Sequence, residues 1–139
     1  ENRLEKYDTA DPAVQAWLVD VVQMFEQEDL AFPVLIHCRS GRDRTGVVVA
    51  CLLAMLGVPE ALIVREFLLS HEGQESSIQM ALAGIRKAGG ASGFLSKAAG
   101  GARGVDVDRA CAVLRGGDEL TQETKWLQQE VEILLRLAK

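Results

Sequence analysis

The sequence predicts an α/β fold of a helix-rich kind: one strand, an anion-binding loop and a core helix, with several flanking helices and an incomplete sheet. Three observations predict it. Residues 32–37 (Phe-Pro-Val-Leu-Ile-His) form a short apolar, partly β-branched run of the sort found in buried strands. Residues 38–46 (Cys-Arg-Ser-Gly-Arg-Asp-Arg-Thr-Gly) form a polar loop. The next ten residues, 47–56, are apolar on every side, as in a helix surrounded by core.

The remaining elements follow in chain order. Asp11-Pro12 is a helix start, because Asp caps free amides and Pro is preorganised at the first helical position. Val14, Trp17, Leu18, Val21, Val22 and Phe25 recur at steps of three and four, which carries this helix to about Gln27. Gly57 is placed to end the apolar helix as a C-terminal cap. Pro59 opens another helix with Leu62, Ile63, Phe67 and Leu68 on its inner face, and residues 76–87 form a further amphipathic segment. Residues 89–104 contain six of the thirteen glycines and read as a loop. A short helix is expected over 106–115 and a last one over 121–138, with Leu127, Val131, Leu134, Leu135 and Ala138 on one stripe. That stripe suits intramolecular packing, or oligomerisation through the C-terminal helix. We read the 139 residues as a single domain, with 105–139 a C-terminal helical extension. A lone strand needs neighbours, and either residues 4–7 and 105–107 supply them or strands preceding Glu1 do. We favour the second.

Composition narrows the function. Hydrophobic residues make up 48% and charged residues 25%, the mix of a soluble globular domain. A net charge of −5 argues against a non-specific nucleic-acid binder, so any anion must be held by a local positive site. No apolar run is long enough for stable membrane insertion. The three cysteines, at 38, 51 and 111, form neither a metal-ligand spacing nor an even framework, which points to a reducing, cytoplasmic compartment. The charged N-terminus has no apolar segment of the signal-peptide kind.

The loop carries the chemistry. A strand, a turning loop and a helix N-terminus bring backbone amides together on a phosphate. Cys38 and Arg44 are separated by five residues, with His37 before the cysteine, Gly41 at the turn and Thr45 after the arginine. A helix N-terminus and nearby cations favour thiolate, which makes Cys38 a nucleophile able to attack phosphorus. Arg44 can bind two phosphate oxygens through its planar fork. Thr45 can donate its hydroxyl to the sulfur. His37 orients the loop through backbone hydrogen bonds rather than moving protons. The loop residues Arg39, Ser40, Gly41, Arg42, Asp43 and Arg44 are the expected phosphate-binding set, and no metal or organic cofactor is called for. For Cys38 the plain alternative is a buried structural thiol, which three arginines within six residues argue against. Cys51 and Cys111 lie among apolar residues and are expected to be core, and Trp17 and Trp126 are expected to be core as well. Asp43 is equally readable as a surface residue or as a helper for water or substrate. His71 is expected to be an exposed helix-end residue.

The run His37-Cys38-Arg39-Ser40-Gly41-Arg42-Asp43-Arg44-Thr45-Gly46 resembles the His-Cys-x5-Arg-Ser/Thr signature of cysteine-dependent protein tyrosine and dual-specificity phosphatases. Its second half looks closest to bacterial-type tyrosine phosphatases whose loop reads Gly-Lys-Asp-Arg-Thr-Gly. Leu56-Gly57-Val58 and Arg65-Glu66-Phe67-Leu68-Leu69-Ser70 are similar to that subgroup's downstream helices. The resemblance covers about residues 8–70. It implies a phosphatase-like fold and hydrolysis of phosphate monoesters through a cysteinyl-phosphate. Phosphotyrosine proteins are the first-choice substrate, with phosphoserine/threonine or phosphoinositide second. It also implies an upstream Asp as general acid, about thirty residues before the nucleophile. Asp8 is thirty residues before Cys38 and Asp11 twenty-seven; Asp11 is better explained as a helix cap, so Asp8 is favoured. Arg39 and Arg42 are either solvated loop charges or an enlarged positive site suited to several phosphates. The competing readings are a catalytically silent phosphate-binding module and sulfur or arsenate chemistry on a related cysteine loop.

Overall fold

Asp11 caps the first helix as its sequence dictates: its Oδ1 accepts the Ala13 N–H at 2.7 Å and the Val14 N–H at 3.4 Å, with Pro12 in the first turn. That helix, α1 (Pro12–Gln23), gives way to a 3-10 turn, Met24–Glu26. The computed structural model describes residues 3–97 and 103–116, and every regular element in them is helical. A 3-10 segment, Arg3–Tyr7, precedes α1; after it come α2 (Asp43–Met55), α3 (Glu60–Phe67), α4 (Glu75–Lys87), α5 (Gly90–Ser96) and α6 (Val107–Leu114). The expected helix over 121–138, its stripe and Trp126 lie outside the described residues.

The all-round apolarity of α2 has the expected consequence. This helix sits at the centre, touching α1, α3, α4, α5 and the first 3-10 segment. Its Val47 and Cys51 are fully buried together with Leu18 and Val22 of α1, Ile63 and Phe67 of α3, Ile78 of α4, and Phe94 and Leu95 of α5. Gly57 ends it at φ +82, with the Gly57 N–H donating to Ala54 O and the Val58 N–H to Leu53 O, which satisfies the last carbonyls. Trp17 is only partly buried, and Lys6 Nζ lies 5.9 Å from its ring centroid.

Helices α2 and α3 meet where α2 carries no side chain. A Cβ placed on Gly46 would stand 2.5 Å from the Phe67 ring, and that ring is 1% exposed and cannot swing aside. Gly46→Ala is therefore expected to lower stability by about 1–3 kcal/mol through overpacking. Thermal unfolding of the variant would check this, and an unchanged midpoint would mean that the two helices part at no cost.

Three expectations need correction. Residues 32–37 are not a buried strand: among the described residues no strand is formed, and Phe32 and Leu35 are 53% and 83% exposed. A strand is stabilised by a paired ladder and a covering layer, and no described segment pairs with this one as a strand. Residues 4–7 and 105–107 do not supply it either, because the first lies in a 3-10 helix and Val107 begins α6. Secondly, the glycine-rich stretch from 89 is not all loop. It contains α5, which folds back on α4 after Gly89 because Phe94 and Leu95 have a core to enter. Thirdly, Leu68 faces outward at 40% exposure, since α3 ends one residue before it.

Glu26 docks α6. This carboxylate is buried, yet it accepts the Asp106 N–H at 2.7 Å and a guanidinium N–H from Arg103, while the Arg109 Nε–H donates to the Glu26 carbonyl. A buried charge with this many donors is satisfied rather than strained.

Candidate active site

The chain leaves the exposed segment 32–37 and turns at Gly41, whose φ of +69 is a left-handed conformation that costs glycine little. Arg42 then serves as the N-cap residue of α2, and the Gly46 N–H donates to its carbonyl at 2.7 Å. The early amides of α2 have no partner of their own within the helix. The Thr45 amide, with those of Ser40 and Gly41, lies close enough to the Cys38 sulfur to favour its thiolate.

These donors set the state of the thiol. Burial pushes Cys38 up, but the Thr45 hydroxyl and the amides of Thr45, Ser40 and Gly41 outweigh it and bring the thiol down to about 6. The strongest lowering contributions are thus neutral dipoles, where charge on the arginines had also been expected. The Thr45 hydroxyl is buried and makes no hydrogen bond of ordinary geometry among the described residues. It nevertheless heads the groups that favour the thiolate. We take this as an electrostatic contact with the sulfur, since a hydroxyl proton turns toward the nearest anion. By contrast, burial pushes Cys51 up to about 12 and also raises Cys111, whose Sγ–H donates to the Met55 carbonyl. Both belong to the core, as expected, and all three cysteines are free.

The three arginines of the loop are not equivalent. Arg39 and Arg44 are exposed, and among the described residues neither enters an ion pair or side-chain hydrogen bond. Arg42 is turned inward and committed to carboxylates, with its Nη1 2.8 Å from Glu72 and its Nη2 3.3 Å from Asp43. Asp43 in turn accepts the Tyr7 hydroxyl at 3.0 Å. His37 is exposed, its Nδ1 3.4 Å from the Cys38 carbonyl, a local contact to the loop backbone of the kind expected. His71 is exposed.

Tyr7 escaped the sequence reading. It is 2% exposed, stands edge-on to Phe67 with ring centroids 6.1 Å apart, and binds the phosphate-type loop through Asp43. Its hydroxyl is held well above the usual tyrosine range by burial, then by the hydrogen bond and the charge of Asp43, and the Cys38 charge adds to this. The only available signal was that the chain's single tyrosine directly precedes Asp8.

Asp8 and Asp11 differ in what they are tied to. Asp11 spends its carboxylate on α1, as described. Asp8 is exposed, with one 3.2 Å contact from the Ala10 N–H. Its neighbours are fixed on both sides: Tyr7 to Asp43, and Thr9 by a buried 2.7 Å hydrogen bond to Ala81 O on α4. The fit on α4 is close, since a Cβ on Gly84 would overlap Thr9 Oγ1.

The loop thus holds a thiol shifted toward thiolate ahead of a helix N-terminus, with a guanidinium six residues on that is unpaired among the described residues. Comparison with known proteins gives the family. Residues 4–116 match the model of the tyrosine phosphatase family, and the chain belongs to that family. It is similar to a tyrosine-protein phosphatase of Nostoc commune, 49% identical over 44 residues, which is 30% of this chain and 15% of that protein. It is also similar to the triple specificity protein phosphatase PtpB of Mycobacterium tuberculosis, 48% identical over 40 residues, 29% of this chain and 14% of that protein. The matched stretches thus span about one seventh of each relative. No solved structure matches the chain. The family fits an α/β fold, and every regular element among the described residues is helical. Among them no helix is long and apolar enough to cross a membrane.

Proposed function

We propose that the protein hydrolyses phosphate monoesters through a cysteinyl-phosphate, with phosphotyrosine in a protein as first substrate. The observation that carries this reading is the place of Cys38 just ahead of the N-terminus of α2, where the Ser40, Gly41 and Thr45 amides favour its thiolate. In the first step the thiolate attacks phosphorus, the S–P bond forms and the P–O bond to the leaving group breaks, while Asp8 gives its proton to the departing oxygen. In the second step water attacks the phosphocysteine, Asp8 takes a proton back, the S–P bond breaks and phosphate leaves. Arg44 grips two non-bridging oxygens throughout, and the loop amides hold the charge that gathers on the equatorial oxygens. Arg39, Ser40 and Gly41 complete the phosphate contacts. Arg42 and Asp43 form the neighbouring wall. The thiolate and the guanidinium do the work a metal would do elsewhere.

The exposed apolar segment 32–37 supports an α/β reading in which it becomes a strand once paired within a sheet. A reactive free thiol beside two other unpaired cysteines supports a reducing, cytoplasmic setting.

Alkylation tests the proposal directly, because Cys51 and Cys111 are buried and shifted the other way. The rate of Cys38 modification by iodoacetamide should rise with pH to a midpoint near 6 and be suppressed by vanadate. A thiol as slow at pH 7 as free cysteine, unprotected by vanadate, would overturn the reading.

A further inference from the structure

Next to the loop lies a cavity of about 620 Å³, whose lining includes Tyr7, Arg42, Asp43, Glu72, Gln74 and Ser77. Arg42 and Asp43 form both its wall and the end of the phosphate-type loop, so whatever flanks a bound phosphate on this side meets the cavity. Its charged lining is one guanidinium against two carboxylates. The guanidinium is occupied: Arg42 donates to Glu72 Oε2 at 2.8 Å from one nitrogen and to Asp43 from two others at 3.3 Å. Glu72 reaches it from the turn after α3, where its φ of +61 is the only left-handed conformation of a non-glycine among the described residues. That turn is pressed on α3, since a Cβ on the adjacent Gly73 would stand 3.1 Å from the Phe67 carbonyl. A carboxylate held in an unfavourable backbone conformation over an arginine beside a reactive thiol points to a role in recognition.

We infer that Glu72 is a specificity-determining residue: by holding Arg42 it keeps the cavity anionic, so that the site takes phosphotyrosine peptides with a cationic neighbour and turns away those with a second phosphate. This rests on the phosphatase reading above. A second phosphate would have to displace Glu72 from Arg42 and approach Asp43, whereas a lysine or arginine side chain meets the free face of Glu72, which is 67% exposed.

The test uses the full chain, p-nitrophenyl phosphate, and two phosphotyrosine peptides of one sequence. One peptide carries lysine beside the phosphotyrosine, the other a non-hydrolysable phosphonate analogue of phosphotyrosine. Wild type should favour the lysine peptide in kcat/KM. Glu72→Gln should narrow that preference by about fivefold, the range of an exposed ion pair, and high salt should shrink the difference. In an Arg42→Gln background the effect of Glu72→Gln on the phosphonate peptide should vanish. An unchanged peptide ratio in Glu72→Gln, with wild type active on p-nitrophenyl phosphate, overturns the inference alone. An effect of Glu72→Gln that persists without Arg42 overturns the hold on Arg42, and a wild type inert toward p-nitrophenyl phosphate overturns the phosphatase reading and the inference with it.

Discussion

Cys38→Ser is expected to abolish turnover of p-nitrophenyl phosphate, by about 10⁴-fold or more, while phosphate and vanadate still bind. The amides of Ser40, Gly41 and Thr45 and the Arg44 fork are untouched by the change, so the anion keeps its cradle. What disappears is the group that these dipoles ionise near neutrality, because a serine hydroxyl is not brought into that range by the same donors. The variant also reports on folding. The thiol titrates near 6 in the folded chain and near 8.5 when unfolded, so the folded state loses its proton first as pH rises. Its contribution to stability is absent below pH 6, grows between 6 and 8.5, and is fully present above. The stability difference between wild type and Cys38→Ser should therefore widen over that window. A difference that stays flat, or turnover that survives in the serine variant, would mean that another group attacks phosphorus.

How much of this was visible beforehand depended on whether the deciding forces were local. Asp11 with Pro12, Gly57 and Asp106 each act on amides or carbonyls a few residues away, and the elements they bound lie close to where their sequences placed them. The thiol loop was equally legible, because its donors come from residues within seven positions of Cys38. Residues 32–37 misled for the opposite reason. Apolar β-branched composition states that a segment needs partners but not that the partners stand beside it. α5 misled because glycine content hid two core residues, Phe94 and Leu95, whose burial outweighs weak propensity. The unequal arginines could not be told apart at all. Arg42 is distinguished from Arg39 and Arg44 by its pairing with the adjacent Asp43 and with Glu72, thirty residues away, and by the direction in which α2 begins. Tyr7 likewise gains its place from Asp43, thirty-six residues on.

Asp8→Asn should reduce turnover by about 10²–10⁴-fold and leave vanadate affinity intact, since general acid help acts on the leaving oxygen and not on the bound anion. The loss should grow with the leaving group's basicity: larger for phenyl phosphate than for p-nitrophenyl phosphate, whose phenolate departs with little protonation. The local ties of the two carboxylates support Asp8 over its neighbour as the proposed acid. Asp11 is held by the first amides of α1, so Asp11→Asn leaves a competent cap, and Asp11→Ala should cost about 1 kcal/mol of stability with turnover retained. Asp8 has only a 3.2 Å contact from the Ala10 N–H, yet it stands between two residues that are anchored to the loop and to α4. An exposed carboxylate on a fixed backbone can give up and recover a proton without disturbing the fold. The decisive comparison is the leaving-group dependence in the two variants. If Asp8→Asn matched wild type on phenyl phosphate while Asp11→Ala failed on it, the acid would be Asp11 and the anchoring of Tyr7 and Thr9 would serve α1 instead.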